Sequence, residues 1–387
     1  MITTFSALAL TVRPVRQMKR DESARNLPAL TSLRGIAALT VLVFHAAPRF
    51  RGYLAVDLFF LLSGFVLMHA YGQMNTTRQA YLSFLKCRLA RIYPVHLLIL
   101  IVLLPMLNVQ PAFSWGGLVS SLMLLQSPWQ YSMCWNGASW SISAEWHAYL
   151  LFPFLAATYR TKSSDALFLT LAVCATVVSL TDYVLGSGNI TNSPLVLVRC
   201  LPEFIAGMVL YRLREEGSLP EWISSDIALW AAAATIIGLE VFKAPDGAII
   251  CFLALVLITS ASNRGHVVQL LNRQPLKYLG NISYSLYMVQ FPCLMFIDWF
   301  FTDLTPIARD FLFIGTSVAL AAVISHFVEY PARDWVKGLT FRRVEWFPTV
   351  IAAGRQEIGR YDEQRLNAAT NATGIEEIAV KVEGSAP

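Results

Sequence analysis

Long apolar stretches separated by short polar ones run through most of the chain, and that pattern predicts helices that cross a membrane. About ten segments approach the roughly 20 mostly apolar residues that a spanning helix needs: 30–47, 53–71, 92–107, 143–158, 165–183, 194–211, 227–242, 247–262, 281–300 and 311–329. A further apolar run, Trp115 to Leu125, is too short to span and reads as re-entrant or as part of an eleventh helix. The expected fold class is therefore all-α, a polytopic integral membrane helical bundle.

The basic residues test this map, because cytosolic loops accumulate Lys and Arg. With the N-terminus inside and ten crossings, the inner loops hold Arg78, Lys86, Arg88, Arg91, Arg160, Lys162, Arg212, Arg214, Arg264, Arg273 and Lys277. The outer loops hold only Arg49, Arg51, Lys243 and Arg309, so the count is eleven inside against four outside. The outer stretch 105–142 has neither Lys nor Arg. The expectation is N-in, C-in topology with three regions: a basic cytosolic tail at 1–27, a transmembrane domain at 28–335, and a polar, flexible cytosolic tail at 336–387. The apolar stretch Ile2 to Val12 comes before Arg13, Arg16, Lys19, Arg20 and Arg25, the reverse of a secretory signal, so it is expected to be retained.

Composition agrees. Of 387 residues, 56% are apolar and 14% charged, with a mean hydropathy of +0.52, whereas soluble domains carry about 25% charged residues. The net charge of +5 does not imply nucleic acid, because the charges lie between apolar blocks. Six cysteines are scattered singly with no C-x-x-C pair, which supports neither a metal site nor a disulfide framework. Of the sequons at Asn75, Asn189, Asn281 and Asn371, only Asn189 falls in an outer loop of this map.

Ionisable side chains inside spans are costly and mark candidate sites. Arg34 and His45 sit eleven residues apart on the first span, so they share a face about 16 Å apart along the axis. Arg34 snorkelling to headgroups and His45 capping the helix would also account for the pair. Asp57 opens the second span and Glu145 leads into the fourth, with Tyr149 four residues on and on the same face. His45, Asp57 and Glu145 are all expected in the outer half of the bundle, although either carboxylate could simply favour a helix N-terminus. On the inner side Arg88 and Arg91 precede the third span, where their planar forks suit phosphate oxygens or merely obey the positive-inside rule.

Taken in order, these residues resemble the membrane acyltransferase-3 family. The likeness rests on Arg34-x10-His45, Val56 to Phe65, Arg88-x-x-Arg91-Ile92-Tyr93-Pro94 and Trp140 to Glu145. It continues through Phe204-x-x-Gly207-Met208, Ile282 to Tyr287 and His326-x-x-Glu329-x-Pro331-x-Arg333. It covers residues 27 to 335. The resemblance implies transfer of an acyl group, often acetyl, from acyl-CoA to a hydroxyl of a carbohydrate or glycoconjugate. It implies no permanently bound cofactor, acetyl-CoA as the usual co-substrate, and a place in the plasma membrane of a bacterium. Arg34 and His45 carry over as one essential pair, Arg88 and Arg91 as another.

Two departures stand out. Gln290 occupies the place where the family commonly has His, and a glutamine is neither acid nor base. No esterase-like secreted domain is expected after the last span. On this reading His45 is the general base, or else a covalent acyl carrier, with Asp57 or Glu145 orienting its ring. Arg88, Arg91 and Arg34 hold the donor's phosphates, and Tyr149, Ser143, Gln290 and Glu329 line or support the acceptor side. A transporter or flippase of a carbohydrate-related substrate would use similar buried charges without covalent chemistry, but no internal repeat is evident. A sensor that kept the scaffold and lost activity is the other alternative, favoured by Gln290.

Overall fold

The computed structural model describes residues 27–107, 109, 113–129, 134–186, 195–262 and 265–341. Residues up to Asp334 form one compact unit, and of the unit from Trp335 onward only the end of a helix is described. The expected tails at 1–27 and 336–387 thus lie almost wholly outside the described residues, as do the sequons at Asn189 and Asn371.

Regular structure among the described residues is helical throughout: α1 Pro28–Ala46, α2 Ala55–Tyr71, α3 Arg78–Val102, α4 Trp115–Leu122, α5 Ser139–Tyr159, α6 Ser164–Leu185, α7 Val196–Glu215, α8 Asp226–Val241, α9 Asp246–Ser260, α10 His266–Leu271, α11 Gln274–Asn281, α12 Ser283–Phe300, α13 Pro306–Ile324 and α14 Tyr330–Phe341. Each of the ten expected segments overlaps a helix, with ends that differ by up to 14 residues at α3. Four stretches are both long and apolar enough to cross a membrane by length and composition: Pro28–Ala46, Gly52–Tyr71, Ser164–Val184 and Pro306–Val336. The short run after residue 114 is a helix of eight residues, Trp115–Leu122.

Two boundaries move in ways that matter for the site. α3 begins at Arg78, not 92, so Arg88 and Arg91 lie inside a helix and not ahead of one. Thr77 sets that start, its side chain accepting from the Ala80 N–H as an N-cap. α5 begins at Ser139 with Ser139 to Ala144 all buried. The stretch leading into it folds back into the protein, where Asn136 Nδ2 donates to Met288 O at 3.0 Å and Gln126 Nε2 to Ser139 O at 3.0 Å. Buried polar groups need such partners, so the described residues Gln126 and Asn136 are anchored in the protein interior.

The centre and periphery separate by burial. Of the most apolar window in each stretch, 56% is buried in Pro28–Ala46 and 67% in Gly52–Tyr71, against 28% in both Ser164–Val184 and Pro306–Val336. α1 and α2 are therefore the core, and α6 and α13 turn apolar side chains such as Leu169, Leu180 and Phe311 outward. α2 packs most extensively on α7. Glycines allow the crossing: a Cβ at Gly64 would lie 1.9 Å from Phe204 O, and one at Gly207 would lie 2.0 Å from Leu61 O. Without a hydrophobic driving force in lipid, close backbone approach through small residues is what holds two helices.

Candidate active site

α1 contributes Arg34 near one end and His45 near the other, and the surrounding helices build a separate cavity around each. The first cavity is lined by Arg34 from α1, Ser63 from α2, Arg88 and Arg91 from α3, Glu145 and Tyr149 from α5, and Ser283 and Tyr284 from α12. Three guanidiniums thus face one carboxylate. That carboxylate is already engaged, since Tyr149 Oη donates to Glu145 Oε1 at 2.5 Å, and Ser63 Oγ extends the chain to Tyr149 Oη at 3.4 Å. Arg88 is held by Nη2 donating to Tyr71 Oη at 3.2 Å, with its guanidinium carbon 5.1 Å from the Tyr71 ring centroid. The N-terminus of α12 at Ser283 adds the positive end of a helix dipole. Excess fixed positive charge in a partly apolar cavity is suited to a polyanion.

The second cavity, the larger of the two, is lined by Val41, Phe44, His45, Tyr53, Trp140, Tyr287, Gln290 and Phe291 among others. His45 is an exposed residue, and Gln290 is buried. The two side chains meet, His45 Nδ1 lying 2.9 Å from Gln290 Oε1. Gln290 Nε2 donates to Tyr287 O at 2.8 Å, which fixes the amide with its oxygen toward the imidazole. An amide oxygen only accepts, so Nδ1 is the ring nitrogen that donates, and in the neutral imidazole Nε2 is the acceptor.

The three residues expected together in the outer half are therefore in three places. Glu145 joins Arg34, Arg88 and Arg91, because α5 starts inside the protein and places residue 145 well into the bundle. Asp57 lies in neither cavity with His45: both its oxygens accept from Arg199, Nε and Nη2 each at 2.6 Å. Glu203 Oε1 and Asp246 Oδ2 approach the same guanidinium at 3.4 and 4.0 Å. Ser143 serves the fold, its Oγ within hydrogen-bonding distance of Leu124 O at 2.6 Å and Ser127 O at 2.9 Å. Glu329 is buried in a π-helical turn, Ser325–Glu329, where Ser285 Oγ donates to it at 2.7 Å; it supports the start of α12.

Arg199 is the residue that sequence reading passed over. The signal was present, as Arg199 and Glu203 are an i, i+4 charged pair inside an apolar segment. Nearby, Arg51 ties the approach to α2 to the α8–α9 end: Nε donates to Glu240 Oε2 at 2.8 Å and Nη1 to Asp246 Oδ1 at 3.0 Å. Burial lowers the basicity of Arg51, and the bonds to Glu240 and Asp246 outweigh it, so its pKa is raised. Among the described residues no group of three or more His, Cys, Asp or Glu could hold a metal ion.

A family model described as an acyltransferase domain matches residues 27–326. Among curated proteins, O-acetyltransferase OatA of Staphylococcus aureus (strain NCTC 8325 / PS 47) is 24% identical over 362 residues, covering 82% of this chain and 59% of its own length. Acyltransferase MdmB of Streptomyces mycarofaciens is 35% identical over 153 residues, 33% of this chain and 38% of that protein. Protein 2 in picA locus of Rhizobium radiobacter is 36% identical over 142 residues, 30% of this chain and 72% of that protein. The chain thus spans 59% of the length of the Staphylococcus aureus relative it matches. No solved structure matches it.

Proposed function

The chain belongs to the acyltransferase-3 family, and from that premise we propose that it is a membrane-embedded O-acyltransferase. It moves an acyl group, acetyl in the first instance, from acyl-CoA to a hydroxyl of a carbohydrate or glycoconjugate. The observation that carries this reading is the pairing of two neighbouring cavities, one with three arginines against one carboxylate and the other with an imidazole whose Nε2 is left as an acceptor. The printed name of the Staphylococcus aureus relative, an O-acetyltransferase, supports acetyl as the group.

In this account Arg34, Arg88 and Arg91 bind the phosphates of coenzyme A. Arg34 and His45 lie eleven helical positions apart, about 16 Å at 1.5 Å per residue, a span that the donor's pantetheine arm bridges so that phosphates and thioester occupy opposite ends of α1. Gln290 replaces the carboxylate expected beside His45: it holds the ring by accepting from Nδ1, as a triad's third member does. His45 Nε2 takes the proton from the acceptor hydroxyl as its oxygen attacks the thioester carbonyl. The carbon–sulfur bond breaks, the ester forms, and the proton ends on the sulfur of coenzyme A, so the reaction balances without another reactant.

The orientation follows the basic residues. Ten crossings with both ends inside put the arginine cavity toward the cytosol, where acyl-CoA is, and His45 toward the outer side, where surface glycans are. The reading is tested by changing Arg88→Ala with Arg91→Ala. Hydrogen bonds to charged groups contribute roughly 1.5–3 kcal/mol each, so KM for acetyl-CoA is expected to rise by at least about tenfold, with acceptor dependence little changed. An unchanged dependence on acetyl-CoA contradicts the phosphate site.

A further inference from the structure

A third cavity shares no lining residue with the other two. It lies among α2, α6, α7, α9 and the turn at Glu221–Ser224, with Leu61, Cys174, Leu210, Ile223 and Ile250 on its wall. Among the described residues Glu203 is the one acidic or basic group lining it, and that carboxyl already engages Arg199 Nε at 3.4 Å and borders Asp57. The rest of the wall is apolar. On α9 the wall runs eleven helical positions, from Gly247 to Ile258. That is about 16 Å at 1.5 Å per residue, close to half of a hydrocarbon core roughly 30 Å thick. Cys251 on the wall is exposed, so the cavity reaches the molecular surface. The neighbouring α6 is long and apolar enough to cross a membrane and turns Leu169, Val173 and Leu180 outward.

Charge at one end identifies the molecule that fits. Leu210 and Arg214, four residues apart, lie on one face of α7, so Arg214 stands one turn beyond the wall, at the helix end that leads on to Leu219 and Ile223. Its neighbour Arg212 is paired, with Glu215 at 3.1 Å and with Glu216. Half-buried Arg214 has no ion pair among the described residues. We infer that this cavity holds one acyl chain of an anionic phospholipid whose phosphate is bound by Arg214. The leaflet is the one at the C-terminal end of α7, which is the cytosolic one in the orientation given above. An apolar cavity does not fill with water, and left empty it forfeits packing contacts. At this depth in a bilayer a lipid chain is the apolar molecule at hand. A chain leaving lipid gains nothing from the hydrophobic effect, so preference among lipids is set by the headgroup. The inference is independent of the acyl-transfer reading.

The test uses the full chain in phosphatidylcholine nanodiscs with a trace of phosphatidylglycerol that carries a diazirine at the end of one acyl chain. After irradiation the labelled residues are mapped by mass spectrometry. Label is expected on the buried wall residues Cys174, Val178 and Ile258, and an excess of plain phosphatidylglycerol displaces it. A basic residue near the membrane surface contributes about 1 kcal/mol to anionic-lipid binding, so Arg214→Gln is expected to lower this label about fivefold. The same diazirine on phosphatidylcholine is expected to label the wall about fivefold less as well. Ala254→Trp fills the cavity and removes the label there, while label on outward Leu169, Val173 and Leu180 persists. Label confined to those outward residues, equal labelling of the wall by the two headgroups, or a wall signal unchanged in Arg214→Gln overturns the inference. If Ala254→Trp does not accumulate, the headgroup comparison on the native chain and Arg214→Gln decide by themselves.

Discussion

A glutamine beside an imidazole decides which ring nitrogen donates. Because Gln290 Nε2 is committed to Tyr287 O, its oxygen accepts a hydrogen bond from His45 Nδ1, and in the neutral ring Nε2 is left as the acceptor. Gln290→Ala removes this constraint on the ring, and kcat is expected to fall by at least about tenfold, out of the 10²–10⁴ that a positioned base supplies, with KM for acetyl-CoA unchanged. Gln290→Glu keeps an acceptor at Nδ1 and restores most of the rate. Equal kinetics for native chain and Gln290→Ala would show that the ring needs no orienting partner. The sequence marked Gln290 only as a residue unable to act as acid or base, because a side chain's role as an acceptor depends on what its other end holds. Spacing did place Arg34 with His45 on α1 and Tyr149 with Glu145 on α5, since both pairs lie within one helix. It misplaced Asp57, whose partner Arg199 is 142 residues away in the chain.

The ten apolar helices were legible as elements because each carries enough apolar residues to be seen, but their ends were not, and the shorter or more polar α10, α11 and α14 gave no such signal. α5 extends into the protein interior through polar sequence, Ser139 to Glu145, while α3 runs through polar sequence from exposed Arg78 to Arg91 at the arginine cavity. Hydropathy discards such residues, and they are the ones that reach the arginine cavity. Between elements, the Asp57–Arg199 pair locks α2 to α7 beside the glycine crossing at Gly64 and Gly207. Removing one member of a buried ion pair leaves the other charge stranded, at a cost of about 3–5 kcal/mol. Arg199→Leu is therefore expected to lower the thermal midpoint of the detergent-solubilised protein and its level in the membrane. Asp57→Asn should do likewise, while the protein that survives still responds to acetyl-CoA with the native KM. A specific rise in KM at native abundance would instead place Asp57 in donor binding.

At the scale of the whole molecule, two cavities end to end along α1 join a cytosolic donor to an outer acceptor only if the orientation read from the basic residues holds. A cysteine in place of exposed Asp303, between α12 and α13, is expected to react with an impermeant maleimide in intact cells, above the background of the six natural cysteines. One in place of exposed Lys162, between α5 and α6, should react only after permeabilisation. The reverse pattern would turn the arginine cavity away from acyl-CoA. The cavities themselves could not be read in the sequence, since each collects residues from helices far apart in the chain. The most direct measurement of the central claim is transfer of labelled acetyl from acetyl-CoA to cell-surface glycan by membranes carrying His45→Ala at native abundance. The account predicts no label above that of membranes lacking the chain, and transfer at the native rate would contradict it.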